Sequence, residues 1–400
     1  MKFNPNAFEI LRERGFIQMT SHEDELKQAL AKPITFYWGI DPTASEVHIG
    51  TAYGLQAFKI LQDCGHRGIL LLGGATGQIG DPSLKDDIRK MMQTSEIDSN
   101  VTAIQKSLSR FIDVKNTIFV DNADWIRPRG YVDFMQEVGT HFTVSEMLSK
   151  ECYKNRLGKG LTFLEMGYIL MQAYDFLHLN DKYGCTLQIG GSDQWGNILA
   201  GVELSRKMSL KNGEPRQPIF ALCWSLLTKS DGQKMGKTEK GTLWISSDRT
   251  SVYDFYQYFI NVDDADVERL LLSFTMLPVH EIKTMCKTDI IVAKKLMAFE
   301  VTKRIHGEAA TQQAKNQSEQ LFSGSGSDAP TETIKAGTKN LVDILALTSI
   351  IKSKREAREL IESGAIQIDG EKVSDINSVI NKKEFLVKKG KKTFLKIILE

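Results

Sequence analysis

Several short stretches of this sequence combine residue types suited to phosphate and ammonium chemistry. "DPTASEVHIGT" (41–51) holds Asp41, Thr43, His48, Gly50 and Thr51. A histidine there can donate to phosphate oxygens. A glycine lets a nucleotide approach the backbone where a strand's C-terminal end leads into a helix N-terminus. "SDGQKMGKTEKG" (230–241) sets Lys234 and Lys237 among glycines, and two lysines so spaced can clamp a phosphate chain. "GGATGQIGDPSLKDDIR" (73–89) offers Asp81, a carboxylate able to hold an ammonium group. It also offers Lys85 and Arg89, four apart and so on one helical face. Its glycines do not follow the GxGxxG spacing, and no acidic residue stands suitably after them, which sets aside a dinucleotide-binding loop.

Two further stretches complete the set. In "FLEMGYILMQAYDFLHL" (163–179), Glu165, Tyr168, Gln172 and Asp175 fall at i, i+3, i+7 and i+10, a polar stripe on an otherwise apolar helix. Gln172 and Asp175 together can read a small ligand carrying donors and acceptors. "LQIGGSDQWGN" (187–197) is a strand-to-turn switch where Gly190 and Gly191 allow close approach and Asp193 can accept from ribose hydroxyls. Taken singly, each has a plainer reading: a polar cap, a solvated charged helix, the wet face of a half-buried helix, a solvated loop.

The elements that must position these groups are legible. "TFYWGI" is β-rich, "AYGLQAFKILQDCG" has helical apolar spacing and ends on Gly65, and "GILLLGG" is a continuous apolar run suited to a buried parallel strand. "NTIFV", "TLQIGG" and "PIFALC" alternate with helical stretches. The pattern predicts an α/β domain with a Rossmann-like doubly wound parallel sheet over 1–225. Residues 226–322 carry the lysine loop and a helical domain, and 323–337 read as a flexible linker. Residues 338–400 form a small α+β module with a basic helix, "SKREARELIESG", and a hairpin turning on Asp369-Gly370.

From Thr338 to Glu400 there are 13 Lys and Arg against 9 Asp and Glu, net +4, which leaves −3 of the overall +1 for the rest. A basic module on a slightly acidic body suggests a polyanionic partner there, while the near-zero total excludes a global nucleic-acid-attracting field. Five cysteines, at 64, 152, 185, 223 and 286, form no CxxC pair, so neither a zinc site nor a disulfide framework is expected. The N-terminal stretch lacks an apolar signal-type region, and no apolar run is long enough for a membrane span, which points to the cytoplasm.

In this order and spacing, the segments together resemble the bacterial tyrosyl-tRNA synthetase family of class I aminoacyl-tRNA synthetases, over essentially the whole chain. "DPTASEVHIGT" looks like the family's HIGH region and "KMGKT" like its KMSKS loop. "YWGIDPT", "GGATGQIGDPS", "QAYDF" and "LQIGGSDQWGN" look like its tyrosine and adenylate pocket. The resemblance implies ATP, with Mg2+, as a substrate, no protein-bound metal, and L-tyrosine and tRNA(Tyr) as partners. It implies that Tyr37 and Asp175 bond the phenol hydroxyl and that Asp81, Tyr168 and Gln172 hold the α-ammonium. Asp41, Gly50, Thr51, Gly191, Asp193 and Gln194 would line the adenylate. Thr43, His48, Lys85, Arg89, Lys234 and Lys237 would meet the phosphates. It further implies a homodimer formed by an insertion near 110–160, and an S-four-type RNA-binding tail using Lys354, Arg355 and Arg358. Two positions depart from the pattern: Thr51 replaces the motif's second histidine, and Trp38 stands where bacterial relatives usually have a small cysteine near the ribose. The competing expectations are a catalytically impaired RNA-binding paralogue and an amino-acid-activating enzyme with a different acceptor, with tryptophan the nearest rival substrate on the same fold.

Overall fold

The computed structural model describes residues 3–82, 92–109, 111–150, 153–154, 157–158, 160–211, 214–238, 241–322, 330–335, 339–390 and 393–400. The apolar runs become the strands of one sheet: β1 (Met19–Thr20), β2 (Thr35–Ile40), β3 (Arg67–Leu72), β4 (Thr117–Asp121), β5 (Cys185–Gly191) and β6 (Phe220–Trp224). Their spatial order is β1-β6-β5-β2-β3-β4. Every neighbouring pair is parallel except β1 with β6. The chain steps outward from β2 through β3 to β4, then returns to the other side of β2 to lay down β5 and β6. The gap between β2 and β5 is therefore the switch point of a doubly wound sheet, where loops diverge and leave a crevice.

Period-two alternation along β2 sends neighbouring side chains to opposite faces. Phe36 meets Phe58 of helix α1 (Ile49–Asp63) at 4.8 Å between ring centroids. Tyr37 meets Phe176 of helix α2 (Phe163–Tyr183) at 5.1 Å. The buried side of α2 builds a core with Ile69, Trp125, Tyr153 and Leu204. Both helices begin and end where local chemistry demands. His48 caps α1 by accepting from the Gly50 N–H, and Gly65 follows the helix with φ 93°. Thr162 and Glu165 form a capping box at the start of α2, and Gly184 ends it in the left-handed region.

The chain divides into two compact units. The first, 1–251 with 258–306, holds the sheet and most of the helical segment. There Arg14, almost fully buried, donates to the carbonyl of Leu272 in the last turn of helix α3 (Asp264–Phe274) and to those of Thr275 and Leu277 just beyond it, satisfying acceptors at and after that helix end. The second, 252–257 with 307–400, contains the basic tail. Its sheet consists of β7 (Thr331–Ile334), β8 (Ile366–Ile368), β9 (Glu371–Val373), β10 (Glu384–Lys389) and β11 (Thr393–Leu399), in the order β7-β11-β10-β8-β9. Asp369 (φ 50°) and Gly370 (φ 89°) turn the β8–β9 hairpin, as the sequence predicts.

One expectation is corrected by this sheet. The stretch predicted as a linker contains β7, which pairs in parallel with β11 and buries Ile334. Composition could not reveal this, because the partner strand lies some sixty residues away and supplies the hydrogen bonds that a Thr-rich segment cannot make alone.

Candidate active site

Two adjoining cavities open at the switch point and share Gly39, Asp41, Tyr168 and Gln194. The smaller, about 40 Å³, is lined by Tyr37, Leu71, Thr76, Gln172, Asp175 and Gln188 among others. Three buried polar atoms on this lining have no hydrogen-bond partner: the Tyr37 hydroxyl, Gln172 Oε1 and Gln188 Oε1. Unpartnered buried polar groups cost stability, so a cluster of them facing one cavity indicates a polar ligand that completes their bonding.

Asp175 sits among them at 2% exposure. Trp125 Nε1 donates to its Oδ1 at 2.8 Å and Asn122 Nδ2 donates to its Oδ2 at 2.9 Å. Burial nonetheless raises its pKa to about 7, the two donors opposing that rise and the charges of Asp41 and Asp121 adding to it. Burial, and the nearby Asp175 charge, likewise hold the Tyr37 phenol well above its ordinary value, so it stays a neutral hydroxyl. The Tyr168 hydroxyl donates to Asp41 Oδ2 at 2.9 Å, and Thr76 Oγ1 donates to Asp41 Oδ1 at 2.7 Å. Asp81, 3% exposed, accepts from Gln194 Nε2 at 2.6 Å, with Asn197 Nδ2 standing 3.4 Å from both its oxygens. Asp41 and Asp175 thus line the small pocket, and Asp81, held by the shared residue Gln194, lines the adjoining cavity, a setting suited to a cationic ligand that also carries a hydroxyl.

The larger cavity, about 350 Å³, is lined by Trp38, His48, Gly50, Thr51, Asp81, Gly191, Asp193, Trp224 and Lys234 among others. His48 Nδ1 accepts the Gly50 N–H at 3.0 Å, which leaves Nε2 to carry the proton as a donor toward the cavity. Withdrawal from bulk water, and then the Lys234 charge, lower its pKa, so the imidazole is neutral near pH 7. Burial raises the carboxyl of Asp193.

The lysine loop is tied down more firmly than its glycines suggest. Lys229 N–H donates to the Gln233 carbonyl at 2.7 Å and Met235 N–H to that of Leu227 at 2.9 Å, with Gly232 at φ 82° making the turn. Residues 243–245 then run against 47–49, through Ile49 N–H to Leu243 O and Ile245 N–H to Val47 O, both 3.1 Å. The histidine and lysine segments are thereby laced together. Lys234 forms no ion pair among the described residues and faces the cavity as an available cation.

Most predicted site residues converge here: Tyr37, Asp41, His48, Gly50, Thr51, Asp81, Tyr168, Gln172, Asp175, Gly191, Asp193, Gln194 and Lys234 all line one or both cavities. Thr43 is exposed and lines neither. Glu165, from the polar stripe of α2, turns instead to its own helix cap. Lys85, Arg89 and the Lys237 side chain lie outside the described residues. Thr76, Asn122, Trp125, Gln188, Asn197 and Trp224 also line the cavities or hold their carboxylates, and none of them belongs to the predicted set. Gln188 had a signal, a lone amide inside an apolar strand. Asn122 and Trp125 follow directly after the β4 run, where a doubly wound sheet presents its loops.

A doubly wound sheet carrying a donor-lined phosphate cavity beside a pocket for a small hydroxylated ammonium ligand defines a nucleotide-dependent, amino-acid-handling α/β protein. Residues 28–323 match the family model of tRNA synthetases class I (W and Y). Residues 319–397 match that of the tyrosine–tRNA ligase SYY-like C-terminal domain. The tyrosine–tRNA ligase of Clostridium kluyveri is 47% identical over 99% of this chain and 100% of its own length. That of Clostridium tetani is 47% identical over 99% of both. A C-terminally truncated mitochondrial tyrosyl-tRNA synthetase from Aspergillus nidulans superposes with TM-score 0.70 at 29% identity, covering 79% of this chain and 94% of the other. The Archaeoglobus fulgidus enzyme, solved with L-tyrosine, shares the fold with TM-score 0.57 at 19% identity, over 78% and 99%. The chain belongs to the tyrosine–tRNA ligase family of class I tRNA synthetases.

Proposed function

We propose that this protein activates L-tyrosine with ATP and transfers the tyrosyl group to the 3′ end of tRNA(Tyr), releasing diphosphate and AMP. One observation carries the reading: the unpartnered Tyr37, Gln172 and Gln188 atoms beside Asp175, in a pocket that opens into the His48–Lys234 cavity. A tyrosine phenol seated there donates to Asp175 and meets Tyr37, while its ammonium faces Asp41, Asp81, Tyr168, Gln172 and Thr76. Its carboxylate is then left pointing toward the larger cavity.

A carboxylate oxygen attacks the α-phosphorus, the bond to the β-phosphate oxygen breaks, and diphosphate leaves. No protein nucleophile is needed, only alignment and donors aimed at the growing phosphate charge. His48 Nε2–H and Lys234 supply such donors, with Lys237, Lys85 and Arg89 joining them and Mg2+ arriving on the triphosphate. Gly191, Asp193 and Gln194 line the adenylate on the β5 side. A terminal ribose hydroxyl of the tRNA then attacks the tyrosyl carbonyl, and AMP departs.

The tail is the tRNA-binding module in this reading. Lys354, Arg355 and Arg358 are exposed on helix α4 (Lys354–Glu362). Lys354 pairs with Asp343 at 2.8 Å and Arg355 with Glu359 at 2.9 Å, exposed pairs that exchange cheaply for phosphate contacts. The protein acts as a cytoplasmic homodimer, supported by the exposed apolar side chains of Tyr131, Val132, Val144, Leu157, Phe163 and Leu164 in and beside the 110–160 insertion. Among the described residues no helix is long and apolar enough to cross a membrane. The test is pyrophosphate exchange with tyrosine, phenylalanine and tryptophan in turn, followed by charging of tRNA. Exchange driven by tyrosine is expected, and its absence at high enzyme concentration overturns the reading.

A further inference from the structure

Trp125 reaches Asp175 from a weak base. It stands on a single helical turn, Ala123–Ile126, and so short a helix has too few hydrogen bonds of its own to fix a side chain. The grip comes from α2. Asp175 and His178 lie three residues apart and share one face of that helix. Asp175 takes the edge of the indole through its N–H, while His178 lies against the ring's face, 4.4 Å between centroids and 16° between planes. Tyr174 backs His178 from the preceding turn, its ring 6.2 Å away at 43°. Arg129 holds Tyr174 in turn: it donates to the phenol oxygen, lies 4.4 Å from the ring centroid and pairs with Glu137.

The imidazole Nε2 is buried without a hydrogen-bond partner among the described residues, so the contact His178 makes with Trp125 is through its ring face. Removal from water, and then the charges of Lys182 and Arg129, hold its pKa below the ordinary 6.5 against the opposing charge of Asp181. The ring is therefore neutral at pH 7 and above. We propose that His178 is a positioning residue for tyrosine recognition: seated between Tyr174 and Trp125, it holds the indole N–H on the carboxylate that receives the substrate's phenol. This rests on the synthetase reading given above. Neither His178 nor Trp125 lines either cavity, so His178 acts only through the indole. The other groups that act on Asp175, the donor Asn122 and the charges of Asp41 and Asp121, are untouched by a change at position 178.

A flat ring and a space-filling side chain predict different outcomes. His178→Phe keeps the flat face, removes the unpartnered nitrogen and changes no charge above pH 7. The pH midpoint of tyrosine kcat/KM should stay where it is in the intact protein. His178→Leu fills similar space without a flat face, and its midpoint should move up by roughly half to one pH unit, the size of a lost aromatic pair. Tyrosine kcat/KM should then fall about 1.5- to 4-fold at pH 7.5 and recover as the pH approaches 9. The KM for ATP should stay within about twofold, because neither ring lines the nucleotide cavity. In a Trp125→Phe background, His178→Leu should move the midpoint no further, since the donor it steadies is gone. The same order should appear without substrate, in the titration of the Asp175 carboxyl followed by carbon NMR and assigned with Asp175→Asn. A midpoint unmoved by His178→Leu, or moved as far by His178→Phe, overturns the proposal. If His178→Leu fails to fold, His178→Gln, which also lacks an aromatic face, takes its place. Absence of tyrosine-dependent exchange in the unaltered protein would instead sink the functional reading, while the carboxyl titration would still judge the clamp.

Discussion

Replacing Trp125 by phenylalanine isolates a single hydrogen bond in the tyrosine pocket. The indole Nε1 donates to Asp175 Oδ1 at 2.8 Å, and its ring stacks on His178 at 4.4 Å with 16° between planes. Phenylalanine keeps a ring for that stack but loses the donor and part of the indole's buried volume, the latter a loss that does not depend on pH. A hydrogen bond to a charged group contributes about 1.5–3 kcal/mol. One pH unit of titration corresponds to about 1.4 kcal/mol, so the loss carries the Asp175 carboxyl upward by roughly one to two pH units from its value of about 7. The sign follows from linkage. A phenol that donates to Asp175 binds best when the carboxylate is ionised, so tyrosine kcat/KM rises with pH through the carboxyl's own midpoint. At pH 7.5 the ionised fraction is about three quarters in the intact protein and falls to between roughly a quarter and a few per cent in the variant. Tyrosine kcat/KM should drop by roughly 3- to 25-fold there and recover as the pH approaches 9. The assay is pyrophosphate exchange at limiting tyrosine between pH 6 and 9. A loss that is flat across this range, or an unmoved midpoint, would refute the assignment of Trp125 as the donor that keeps Asp175 ionised.

Tyr37→Phe removes a buried hydroxyl that has no partner in the unliganded protein, so thermal stability should hold or rise by about 1 kcal/mol while the tyrosine-over-phenylalanine ratio of kcat/KM falls; an unchanged ratio would detach Tyr37 from recognition. Lys234→Ala should slow adenylate formation by about 2–4 kcal/mol in the barrier with little change in tyrosine affinity, measured by single-turnover activation against equilibrium binding. Equal losses in both would move Lys234 out of the reacting end of the site. Ending the chain after Phe322, ahead of the tail's first strand, should spare tyrosine-dependent exchange, weaken tRNA charging sharply and make tRNA binding less salt-dependent. Full charging by the shortened protein would remove the tail from the mechanism.

The local grammar of the chain was readable before any coordinates. Continuous apolar runs specified buried parallel strands, because a strand covered on both faces has no polar side to show. Gly65 and Asp369-Gly370 marked a helix end and a turn because few residues adopt positive φ at low cost. Chemical identity was readable too: His48, Asp81, Asp175 and Lys234 carry functional groups whose repertoire does not depend on their neighbours. What the linear chain could not express was which of these groups share a volume. Glu165 and Asp175 occupy the same helical stripe, yet one caps its own helix and the other is driven to a pKa of about 7 by burial, which only the packed core supplies. Trp125, Asn122 and Gln188 joined the site because β5 runs beside β2 and β4 follows on the far side of β3, an arrangement created by the sheet order. Likewise Thr331–Ile334 looked like linker until a strand from the far end of the tail gave it hydrogen bonds. Gly54, inside α1, is the sharpest case: its cost to the helix is written in the sequence, whereas the Trp38 and Trp224 indoles that leave no room for a side chain there meet only in the folded protein.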